Sequence, residues 1–303
     1  MNKLINSLFI AFVVLLVAGC AHQQSRQAAD VSIIQSPNDE RAYQYLVLPN
    51  ELQVVLISDP EADKGAASLT VGVGTTANPV GREGLAHFLE HMLFMGTRKY
   101  PGVDEYGAFI KRHGGSTNAY TADNETTYLF DIRQQELEPA LDRFSQFFVA
   151  PLFAEEYVDR EKNAVNSEYQ LKLKDENRRL LAAQQQVMNP DSPYARFGVG
   201  NLDTLADRDN NKVRDDLIEF YNTHYSANLM TLAVVGRQPL PVLRQWVEEK
   251  FSAVPNRHAQ RFVPESPQYL ASDLPVRQQV RPLKDTRSLE YAFPIPPLLQ
   301  HYK

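Results

Sequence analysis

Five consecutive residues carry the plainest chemistry in this chain: His87-Phe88-Leu89-Glu90-His91. On a helix, residues four apart stand one turn above each other on the same face. The imidazoles of His87 and His91 can therefore grip one metal ion. Glu90 follows His87 by three positions and projects beside that face, within reach of a metal-bound water. The order H-x-x-E-H reverses the commoner H-E-x-x-H of zinc hydrolases. A bare histidine pair at this spacing is an ordinary helix surface; the embedded glutamate is what turns it toward hydrolysis.

A catalytic zinc takes three protein ligands and keeps one position open, so another element must supply the third. The segment from Glu155 to Tyr169 is free of proline, rich in helix formers, and lies between Pro151 and Pro190. Glu161 and Glu168 fall two helical turns apart within it and face the same way. One can ligate zinc while the other holds a ligand histidine in its tautomer. Acidic residues on a long helix also make plain solvated faces, and spacing by itself leaves both readings open.

Together these residues resemble the pitrilysin/insulysin family of zinc metallopeptidases, the inverzincins. The likeness runs through Gly84-Leu85-Ala86-His87-Phe88-Leu89-Glu90-His91-Met92-Leu93-Phe94-Met95-Gly96-Thr97 from end to end. It continues in Gly115-Ser116-Thr117-Asn118-Ala119-Tyr120-Thr121, Tyr225-Ser226-Ala227-Asn228-Leu229 and Phe293-Pro294-Ile295-Pro296-Pro297, and covers roughly Arg41 to Lys303. The resemblance implies one Zn2+ held by His87, His91 and Glu168, with Glu90 as general base on a zinc-bound water and Glu161 steadying a ligand histidine. It implies an α+β fold: a mostly antiparallel sheet packed by helices on one side, then the start of a second homologous domain. It also places Asn118, Ala119 and Tyr120 on a sheet edge beside the metal, where a peptide substrate adds as a strand. Read without the resemblance, that segment is an ordinary buried strand.

The amino terminus points to export. Lys3 gives a short positive region, Leu8 to Val17 is apolar, and Val17-Ala18-Gly19-Cys20 follows. This reads as a signal peptide over residues 1–20 that resembles a bacterial lipobox, with Cys20 as the lipidated residue. The apolar run is far short of the ~20 residues that cross a bilayer. Ala21 after Cys20 favours an outer-membrane lipoprotein facing the periplasm; a plain cleaved signal and a soluble periplasmic protein is the alternative. Cys20 is the only cysteine, so no intramolecular disulfide forms. Residues 21–40, rich in Gln, Ala and Ser toward their start, read as a flexible tether. A net charge of −6 and the lack of any basic run give no sign of a nucleic-acid partner.

The remaining pattern alternates between strand and helix. A hairpin is expected from Tyr43–Leu48 and Leu52–Ser58, with Glu51 in a turn where the family often has Gly. A strand over Ala67–Val73 leads to a zinc helix starting near Arg82, with Arg82 at the surface. Further helices are expected over Val103–His113, Leu137–Val149, the acidic segment and Leu240–Phe251, and strands over Thr117–Thr121, Thr126–Ile132 and Leu229–Val235. His113 and His258 read as exposed, His224 as a packing residue. The peptidase domain spans 41–255, a linker 256–275, and an incomplete second domain begins at 276.

The resulting expectation is a zinc endopeptidase acting on short or unstructured peptides. Long members of the family close two halves like a clamshell, and the second half helps stabilise the tetrahedral intermediate. This chain is therefore expected to need a C-terminal half, or a partner chain, for full activity. The alternative is a catalytically weak or regulatory relative that binds peptides or serves as a partner subunit.

Overall fold

The computed structural model describes residues 33–285 and 287–295. Strands β1 (Ala42–Val47) and β2 (Gln53–Ser58) form the expected hairpin. Glu51 in its turn has φ 68°, in the left-handed region where glycine carries no steric cost. Strands β3 (Lys64–Val71), β4 (Ser116–Thr121), β5 (Thr126–Arg133) and β6 (Met230–Gly236) complete one sheet in the order β1-β2-β6-β3-β5-β4. Every neighbouring pair is antiparallel except β2 with β6, which is parallel. The fold is thus α+β with a mostly antiparallel sheet. β4 lies at one edge and pairs only with β5.

Alternation decides which face is covered. Val54, Leu56, Leu69, Val71, Tyr128, Phe130, Leu232 and Val234 are buried, while their neighbours Ile57, Ser68, Leu129 and Val235 are only partly so. Helices α1 (Leu85–Leu93), α2 (Glu105–Arg112), α3 (Leu137–Val149), α4 (Val158–Lys172), α5 (Glu176–Gln185), α6 (Val213–His224) and α7 (Leu240–Phe251) complete the regular structure. α3 lays Phe144, Phe147 and Phe148 into the core, against Phe251 of α7 and the buried strand residues. Each such ring contributes roughly 1.5–3 kcal/mol by leaving water.

Four sequence expectations need correction. The first helix begins at Leu85, and Arg82 in the turn before it is buried, at 2% exposure. Its Nε donates to Asp216 Oδ2 at 2.5 Å, and its other nitrogens donate to the carbonyls of Ala206 and Asn211. The acidic segment forms the expected helix, α4, and an unexpected second helix, α5, follows it, where Asp175 caps the new start by accepting from the Arg178 amide at 3.1 Å. Helix α6 is not among the expected elements, since Asp215, Asp216 and Glu219 break up its apolar stripe. His113 is half-buried, its Nδ1 donating to the Phe109 carbonyl at 2.8 Å.

The signal peptide, Cys20 and most of the tether lie outside the described residues. Among the described residues no helix is long and apolar enough to cross a membrane. Residues 256–295 hold one short 3-10 turn, Ala271–Asp273, among those described.

Candidate active site

Helix α1 is apolar on most of its circumference. Leu85, Ala86, Phe88, Leu89, Met92 and Leu93 are buried, which leaves His87 and His91 on the one partly open stripe. Their rings stand 4.9 Å apart and nearly perpendicular. α4 packs across this stripe and brings up Glu168. His87 Nε2 lies 3.5 Å from Glu168 Oε2, and His91 Nε2 lies 3.7 Å from Glu168 Oε1. One ligand atom from each of the three residues falls within 4.8 Å of the others. Two atoms each about 2.0–2.2 Å from a tetrahedral zinc sit about 3.4 Å apart. The donor set therefore fits that ion with small adjustments of side chains.

The other ring nitrogen of each histidine is engaged elsewhere. His87 Nδ1 is 2.8 Å from the Val199 carbonyl, and His91 Nδ1 is 3.2 Å from Glu161 Oε2. A carbonyl only accepts, so His87 carries a proton on Nδ1, which leaves Nε2, the nitrogen facing Glu168, as the one available to a metal. Glu161 is buried, and its second oxygen accepts from Arg160 Nε at 2.9 Å. Burial works against its charge, but the bonds from His91 and Arg160 outweigh that and hold its pKa below the usual value. Glu168, half exposed, is held low chiefly by its bond with His87.

Glu90 is 7% exposed and lies close enough to His87, His91 and Glu168 to feel their charges. Burial pushes its pKa up, opposed by the Thr121 hydroxyl, which donates to Oε2 at 2.6 Å. A carboxylate that is desolvated and held by one donor keeps a free oxygen for a proton, as general base catalysis requires. Thr121 is the last residue of β4, and Asn118, Ala119 and Tyr120 precede it on that edge strand. Tyr120 is 48% exposed.

The structure thus brings together His87, Glu90, His91, Glu161 and Glu168, and puts Asn118 to Tyr120 on the adjoining edge. The Thr121 hydroxyl, the Arg160 guanidinium and the Val199 carbonyl were not singled out from sequence. The first has a signal, since Thr121 closes the expected docking strand, although its hydroxyl has no expected role there. The carbonyl had only the faint one of Gly198-Val199-Gly200, a turn-forming run. His224 packs as expected, its ring 4.6 Å from that of Phe220.

Comparison with known proteins follows the same lines. Residues 53–191 match the family described as insulinase (peptidase family M16), and residues 212–303 match the description "peptidase M16 inactive domain". The chain belongs to the peptidase M16 family. The segment matched as the inactive domain includes α6, β6 and α7, and of these β6 lies between β2 and β3 in the sheet that also holds β4 and β5. Among M16 relatives, the chain is 42% identical to the A-factor-processing enzyme of Saccharomyces cerevisiae over 268 residues, covering 88% of this chain and 26% of that protein. It is 43% identical to the insulin-degrading enzyme of Homo sapiens, covering 89% and 27%. The crystal structure of pitrilysin superposes with a TM-score of 0.79 at 36% identity, over 82% of this chain and 26% of that one. A protease from Helicobacter pylori shares the fold at 21% identity and a TM-score of 0.65, over 75% and 54%. The chain spans little more than a quarter of the length of the curated relatives it matches.

Proposed function

We propose that this chain is the metal-binding part of a zinc endopeptidase that hydrolyses short or unstructured peptides. The observation that carries the reading is the convergence of His87 Nε2, His91 Nε2 and the Glu168 oxygens, with Glu90 coupled electrostatically to all three. A bound zinc would polarise the scissile carbonyl and acidify a water.

The chain's own residues supply the rest. An extended peptide adds to the open edge of β4 along Asn118 to Tyr120, which presents one peptide bond after another to the site through main-chain hydrogen bonds. Glu90 takes a proton from the attacking water as its oxygen bonds to the carbonyl carbon. It then gives that proton to the departing amine as the carbon–nitrogen bond breaks. Thr121 holds the carboxylate in place through both transfers. Glu161 and the Val199 carbonyl keep the two imidazoles oriented.

The identity with insulin-degrading enzymes and the short share of their length both support a need for further chain. Donors that meet the tetrahedral oxyanion are typically worth 10²–10³ in rate, and we assign them to that further chain. The test is a fluorogenic-peptide assay of the 303-residue chain against the same chain extended by, or mixed with, the remaining M16 domains. The zinc content of each is measured, and Glu90→Gln is the blank. We expect about one zinc per chain, background hydrolysis for the short form and chelator-sensitive hydrolysis for the extended one. No zinc in either form would refute the metal site, and equal kcat/KM would refute the need for a second half.

Export as a lipoprotein through Cys20 is proposed on the residues of the amino terminus alone. Cys20→Ser should release the protein from membranes and remove the diacylglyceryl mass. Wild-type protein found wholly soluble would refute the anchor.

A further inference from the structure

We infer that Gly84 is a positioning residue for the metal site: it lets the 198–200 loop close on the start of α1 so that the Val199 carbonyl orients His87. The inference rests on the zinc reading above and extends it to a loop more than a hundred positions from His87 in the chain.

Gly84 caps α1 with φ 91°, ψ 4°, and Gly200 opposite it has φ 90°. The two backbones meet with no side chain between them. A Cβ on Gly84 would strike the Gly200 Cα and amide nitrogen, and would stand 2.8 Å from the carbonyl carbon of Val199. Those are backbone atoms, so relief comes only by moving the loop outward. The loop is held from behind as well, since a Cβ on Gly200 would lie 3.1 Å from Leu205 Cδ1 and 3.3 Å from Val165 Cγ1.

The Val199 carbonyl is the group that the close approach delivers. It receives the His87 Nδ1 proton at 2.8 Å, in the van der Waals shadow of Gly84. A retreat of even 1 Å would break that bond, because a separation near 3.8 Å is no longer a hydrogen bond. His87 would then be free to turn its ring or move its proton to Nε2, the nitrogen that faces Glu168. Partners of this kind on ligand histidines typically change metal affinity by 10–100-fold. His91 has a separate partner in Glu161, so the two imidazoles are oriented by different elements, one by α4 and one by the loop.

Gly81 provides the internal control. It also has positive φ, at 81°, and lies in the same approach to α1, but a Cβ there meets only the Arg208 side chain, at 3.2 Å. Substitution at Gly81 strains the backbone without moving the 198–200 loop.

The experiment uses the full 303-residue chain and reads two quantities: zinc affinity by chelator competition, and the His87 tautomer of the metal-free protein by ¹⁵N NMR. Gly84→Ala should weaken zinc binding by about 10–100-fold and shift His87 away from the Nδ1–H tautomer. Gly81→Ala should lower the thermal midpoint and leave both readouts as in wild type. Unchanged affinity and tautomer in Gly84→Ala, or an equal loss in Gly81→Ala, would overturn the inference. If Gly84→Ala does not fold, Gly200→Ala presses on the same contact from the other side. It should move both readouts in the same direction, and wild-type values there would likewise overturn the inference. A wild-type chain that binds no zinc would defeat the metal reading alone, since the tautomer measurement needs no metal.

Discussion

The Thr121 hydroxyl donates a 2.6 Å hydrogen bond to Oε2 of Glu90. One residue at the end of the edge strand thereby joins the peptide-docking edge to the buried carboxylate. Thr121→Val keeps the shape of the side chain and removes the donor. A hydrogen bond to a charged group is worth about 1.5–3 kcal/mol, so kcat of the extended enzyme should fall roughly 10–100-fold with KM little changed. Thr121→Ser should restore most of it. The measurement is steady-state cleavage of a fluorogenic peptide with zinc content checked for each variant.

The glutamates of α4 should separate by metal affinity. Glu168 stands beside both Nε2 atoms, whereas Glu161 bonds to Nδ1 of His91 and to Arg160. Glu168→Gln and His91→Ala should lose zinc on dialysis. Glu161→Gln should keep it with an affinity lowered about 10–100-fold, as read by chelator competition.

Arg82 predicts a stability effect where its sequence position suggested none. It is buried, paired with Asp216 at 2.5 Å, and hydrogen-bonded to backbone carbonyls of the loop before α6. Breaking a buried pair leaves an uncompensated charge, typically at about 3–5 kcal/mol. Asp216→Asn should therefore lower the urea midpoint sharply. Arg82→Met together with Asp216→Leu should recover part of the loss.

Acid should weaken the fold through His224. Burial beside Phe220 holds its pKa below the ordinary 6.5. The unfolded chain then binds the proton more readily than the folded one. The stability that His224 contributes is full above pH 6.5 and is lost as pH falls through the folded-state value. Thermal midpoints taken from about pH 7.5 to about pH 5 should drop less for His224→Gln than for wild type. Parallel curves would refute the assignment.

What the sequence determined by itself was local. The i, i+4 placement of His87 and His91 follows from the helix period, and the alternation in β2, β3 and β5 follows from the pleat. Both hold wherever the rest of the chain lies. The Phe144, Phe147 and Phe148 stripe was legible for the same reason. What lay between segments was not legible without the resemblance to the family. Glu161 and Glu168 share a helix face, and only the crossing of α4 over α1 puts one beside the Nε2 atoms and the other beside Nδ1. Arg82 looks like a surface charge until α6, itself masked by acidic residues, brings Asp216 to it. The Val199 carbonyl carries no signature at all, since every residue has one. Its place against His87 was decided by the contact of two glycine backbones more than a hundred positions apart in the chain.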